Sequence, residues 1–122
     1  MTNGADKGPL AGWALVLLGA RTLIGKIERA ESGPRLFPVY ELQVQLDPRA
    51  GPAYMAYPVM FLSGLRYVVL PGGAIVVPMG DLSHAARAML ARVVAQAEEM
   101  VGKLRAVETG IVPVGKGSVV LK

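Results

Sequence analysis

The chain has 122 residues, 52% of them apolar and 18% charged, with a formal net charge of +4 and no cysteine. That length corresponds to one domain, and the missing thiols exclude disulfides, thiolate metal sites and cysteine catalysis, which suits a reducing compartment. The basic residues are scattered, without the run that marks a nucleic-acid footprint, and so much apolar surface on so short a chain predicts contacts with other subunits.

Residues 1–11 are polar and carry two glycines and a proline; they read as a mobile arm. Trp13 to Leu18 is an apolar run of strand length, well short of the ~20 residues that a membrane-spanning helix needs. No small-residue cleavage site follows it, so a cytoplasmic chain without membrane association is expected. After a turn at Gly19-Ala20, Arg21 to Glu28 reads as a second strand. Leu23, Gly25 and Ile27 share one face of it and Ile24 and Lys26 the other, and Gly25 marks a bend or a close backbone approach. Arg29 to Pro34 reads as a loop. Val39 to Leu46 is the clearest strand: Tyr40, Leu42, Val44 and Leu46 alternate with Glu41, Gln43 and Gln45, which predicts one buried and one polar face.

Asp47 to Pro52 is a turn. Tyr54 to Leu62 is apolar, with Pro58 marking an edge or an interruption. Leu65 to Leu70 and Ala74 to Met79 read as further strands, joined by Pro71-Gly72-Gly73 as a tight turn in which glycine supplies φ > 0. From Asp81 to about Val107 the period changes. Apolar residues at Leu82, Ala86, Leu90, Val93, Ala97, Val101 and Leu104 form one helical stripe, with Asp81 as the expected N-cap and Gly110 as the stop. A helix of that length runs to about 38 Å, longer than the barrel beside it. Leu90, Val93, Ala97, Val101 and Leu104 are therefore expected to meet a neighbouring subunit. The segment 110–122 is β-branched and glycine-punctuated. Ile111, Val112, Val114, Val119 and Val120 are expected to form an extended arm that pairs with a strand edge.

Chemistry has little to work with. His84, the only histidine, has no cysteine or second histidine to complete a metal site. Glu98 and Glu99 are neighbours on a helix and point apart. Gly110 to Gly117 has the glycine and lysine spacing of a phosphate-binding loop, but a helix precedes it and Gly117 stands where the hydroxyl belongs. Arginines near Tyr54, Tyr57 and Tyr67 could stack single-stranded bases; packing at strand faces or subunit contacts is the plainer reading. No catalytic residue, cofactor or metal is expected.

Two stretches resemble the Sm-like family of small barrels. Gly19-Ala20-Arg21-Thr22-Leu23-Ile24-Gly25-Lys26-Ile27 is similar to the family's first motif. Val68-Val69-Leu70-Pro71-Gly72-Gly73-Ala74-Ile75-Val76-Val77 is similar to the second. The resemblance spans about residues 13–79 and implies a small antiparallel SH3-like barrel and a habit of forming rings. It departs where RNA would bind. The first motif continues as Glu28-Arg29-Ala30-Glu31-Ser32-Gly33, without the family's Asp and Asn. The second turn is Pro71-Gly72 in place of Arg-Gly, and the helix follows the barrel instead of preceding it.

The sequence therefore predicts a mainly β (α+β) domain with a mobile arm over 1–11, a barrel over 12–80, an amphipathic helix over 81–109 and an extended arm over 110–122. Gly25, Gly72 and Gly73 are its structural glycines. The expected function is that of a non-enzymatic structural subunit. Its main partner is itself, in a homo-oligomeric ring or a larger particle with other particle proteins, such as a phage virion. A nucleic-acid-binding ring is the alternative.

Overall fold

The computed structural model describes residues 7–108, with side chains through residue 103. Six strands and one long helix dominate it: β1 (Trp13–Leu18), β2 (Arg21–Ala30), β3 (Gly33–Asp47), β4 (Gly51–Pro58), the short α1 (Val59–Ser63), β5 (Val68–Val69), β6 (Ile75–Pro78) and α2 (His84–Glu108). The ladders are all antiparallel, in the order β4-β3-β2-β1-β6, with β5 pairing the start of β3.

β1 occupies the predicted span, because an unbroken apolar run can be covered on both faces. Ala14 and Val16 turn to a cluster with Leu23, Leu36, Val39 and Val59. Trp13 and Leu15 turn to the opposite face, where Ile24, Tyr40, Ala56 and Met79 meet α2. The Trp13 and Tyr40 rings stack there with centroids 6.1 Å apart. The sheet thus has two cores, one inside its curl and one under the helix.

The predicted small barrel is not closed by strand pairing among the described residues. β5 joins β3 and β6 joins β1, yet no ladder links β5 to β6. β5 covers only Val68 and Val69, opposite Leu36 and Arg35, instead of the predicted Leu65 to Leu70. β4 takes the same edge of β3 from Tyr40 onward, which leaves β5 only its start. The predicted loop at Arg29 to Pro34 shrinks to a tight turn, since Arg29 pairs with Pro34 and Ala30 with Gly33.

Gly25 answers a close approach. The β2–β3 register shifts between Gly25 and Ile27, where β3 accommodates Phe37 and Pro38 against the single residue Lys26. This bulge brings the Pro38 carbonyl to 2.6 Å from where a Cβ on Gly25 would lie. Such a contact leaves room for glycine alone. Gly72 and Gly73 differ from expectation. Neither has positive φ, nothing lies within 4 Å of an added Cβ, and the turn closes through the Ala74 N–H donating to the Pro71 carbonyl at 3.1 Å. A turn with right-handed central residues accepts most side chains.

Tyr54 to Leu62 divides at Pro58. Proline cannot extend the ladder but suits a helix start, so β4 ends there and α1 follows, stopped by Gly64 in the left-handed region. The helical stripe begins later than predicted. Asp81 ends a 3-10 turn, and Ser83 is the cap, its Oγ accepting from the Ala86 N–H at 3.1 Å. The N-terminal arm is anchored at its end. The Arg87 Nε donates to the Pro9 carbonyl at 2.6 Å, and Leu10 packs on the helix-side core.

Candidate assembly surface

The long hairpin β3–β4 has one apolar face and one mixed face, on which polar residues of β3 oppose Tyr57, Met55 and Ala53 of β4. Register places Tyr40 opposite Pro58, Leu42 opposite Ala56, Val44 opposite Tyr54 and Leu46 opposite Pro52 on the apolar face. Glu41, Gln43 and Gln45 alternate onto the other, where Gln45 donates to the Tyr57 hydroxyl at 2.9 Å and Arg21 pairs with Glu41. At the hairpin root α2 covers the apolar face. Toward the tip nothing covers it among the described residues: Val44 is 54% exposed and Leu46 82% exposed. The expectation that Tyr40, Leu42, Val44 and Leu46 share a buried face therefore holds only for the first two. Asp47 rigidifies the tip, its Oδ1 accepting from the Arg49 N–H at 2.8 Å.

A second uncovered pair lies at the other end of the sheet. Leu17 of β1 faces Ile75 of β6, and both are exposed. Leu17 lies two residues beyond Leu15, and Val44 two beyond Leu42, so both uncovered pairs share the sheet face that carries α2. The outer edges of β4 and β6 are unpaired among the described residues. Each edge carries proline, at Pro52 and Pro58 on β4 and at Pro78 on β6.

The predicted helix interface is reassigned. Leu90, Val93 and Ala97 are 3%, 7% and 1% exposed within the single chain, packed on Ile24, Tyr40, Ala56 and Met79. The sheet of the same subunit absorbs this stripe, so these three residues have no surface left for a neighbour. Val101 is half-buried and lines a cleft described below. Leu104 lies in α2, with its side chain outside the described residues, as are Ile111, Val112, Val114, Val119 and Val120 of the predicted arm. His84 is an exposed first helical residue, and Glu99 pairs with Lys103 one turn on. Among the described residues no group of three His, Cys, Asp or Glu side chains could hold a metal ion, and no helix is long and apolar enough to cross a membrane.

A cleft of about 110 Å³, open to solvent on one side, lies where β3, α1 and α2 meet. Phe37, Tyr40, Pro58, Met60 and Val101 give it apolar walls, and among the described residues Arg66 is the one charged group in its lining. Sequence reasoning missed it because its walls come from four separate segments. The bulge that carries Phe37 and Pro38 has no periodic signal; Gly25 opposite it was the one visible trace.

No protein-family model, curated protein or solved structure matches the chain.

Proposed function

We propose that this chain is a non-enzymatic structural subunit that assembles with copies of itself into a ring or larger particle through its two open sheet edges. The observation that carries this reading is the pairing of each free edge with an uncovered apolar pair on one common face: Val44 and Tyr54 at β4, Leu17 and Ile75 at β6. Unpaired edges present N–H and C=O groups that template another strand. When β4 of one copy lies against β6 of the next, the sheet continues and both apolar pairs come to its helix-bearing side. The two edges differ, so the contact is head-to-tail. It closes into a ring where the rotation allows and otherwise runs on as a filament or shell.

Sedimentation at micromolar concentration tests this. The expected result is a species several times heavier than the 12.8 kDa chain, and a chain that sediments as a monomer contradicts it. The Sm-like resemblance belongs with this reading in its barrel-like ladder order and ring habit, and not in its RNA pocket. A nucleic-acid ring has less behind it. Tyr67, a candidate stacking residue, already carries the Arg35 guanidinium 4.3 Å from its ring centroid, and Arg35 is itself paired with Glu28. Binding that weakens steeply with salt would favour that second reading.

A further inference from the structure

The cleft between β3, α1 and α2 meets β4 only at Pro58, its last residue, and has its own chemistry. Ligand sites are typically concave and apolar, with a few polar groups that fix orientation. Here the walls are Phe37, Tyr40, Pro58, Met60 and Val101, and no acidic side chain among the described residues lines the space. Arg66 follows the Gly64 cap of α1, is exposed, and forms no ion pair or hydrogen bond among the described residues. Arg21 and Arg35 differ: each is held by a glutamate, Glu41 or Glu28. An apolar space with one unpaired guanidinium at its lining complements an apolar chain that ends in a single negative charge. The planar guanidinium fork matches a carboxylate through two parallel N–H···O bonds. A more highly charged group would find no second cation among the described lining residues.

We propose that this cleft binds a small carboxylic acid of the fatty-acid class, its chain between Phe37, Met60 and Val101 and its carboxylate on Arg66. Binding is independent of assembly, because none of these residues lies on the outer edge of β4 or β6.

The test is a titration of the full chain with decanoate, below its micellar range, followed through the methyl resonances of Met60 and Val101. Saturable shifts are expected at both. Decanol, with the same chain and no charge, should bind about tenfold more weakly, as should decanoate to Arg66→Met, because a charge-assisted contact is lost in each case. Arg66→Lys should recover part of the affinity. Arg66 is exposed, so these variants should keep the parent amide spectrum. Val101→Phe narrows the cleft and should abolish the shift at Met60. The proposal is overturned if Met60 and Val101 do not move, if decanol binds as well as decanoate, or if Arg66→Met binds decanoate unchanged. Shifts of the same methyls by an oligothymidylate, with none by decanoate, would also overturn it and make the cleft a nucleotide-stacking site.

Discussion

The root and the tip of the β3–β4 hairpin carry the same apolar alternation and meet opposite fates. At the root, Tyr40, Leu42 and Ala56 pack beneath α2 with Leu90, Val93, Val94 and Ala97. At the tip, Val44, Leu46 and Tyr54 continue the same face into solvent. Period-2 alternation states which residues share a face; whether anything covers that face depends on where the helix lies. The root therefore belongs to stability, and on the proposed assembly the tip belongs to contact. Substitutions in each should separate along that line.

The largest effect should fall at the root. Leu90→Ala removes a side chain from the centre of the helix-side core and should cost about 2–5 kcal/mol, read as a lowered denaturation midpoint. An equal loss from Leu46→Ala would break the comparison, because that change should leave monomer stability within about 0.5 kcal/mol. Next comes Gly25→Val. Its Cβ must displace the Pro38 carbonyl that lies 2.6 Å away, and overpacking of this kind costs about 1–3 kcal/mol. Urea unfolding measures it, and a variant as stable as the parent would contradict the bulge opposite Gly25. Ser83→Ala should cost about 1 kcal/mol through loss of the cap on the Ala86 N–H, whereas Asp81→Ala should cost less, which thermal melts can rank. The smallest effect is expected at Gly72 and Gly73. Replacing both with alanine should be neutral or stabilising by about 0.4–1 kcal/mol, through the unfolded chain's lost freedom.

Legibility in the sequence follows the same division. Trp13 to Leu18, the face assignment around Gly25 and the stripe from Leu90 to Ala97 were readable because periodicity and a misplaced glycine are local signals. What partners each element required tertiary information. Part of the stripe was expected to pack on a neighbour, yet the sheet's second face takes up Leu90, Val93 and Ala97, since β1 and β2 bury residues on both sides. Conversely, one face of the strand from Val39 to Leu46 was expected to be buried throughout, and Val44 and Leu46 at its end are exposed. The reading of excess apolar surface has its counterpart in exposed residues such as Leu46 and Ile75, located at the sheet ends instead of on the helix. The cleft around Arg66 had no sequence signature, because its lining residues converge only through the bulge at Phe37-Pro38 and the turn into α1.

The assembly account turns on whether the uncovered pairs hold copies together without holding the fold together. Sedimentation and thermal melting of the parent beside the double variant Val44→Asp, Ile75→Asp address both halves at once. A charge in an apolar contact is strongly unfavourable when it stays unpaired, while at exposed positions of a monomer it changes little. The account predicts that the parent sediments as an oligomer and that the double variant is a folded 12.8 kDa monomer, its far-ultraviolet spectrum unchanged. A double variant that assembles as the parent does, or a parent that is itself monomeric at micromolar concentration, would contradict it.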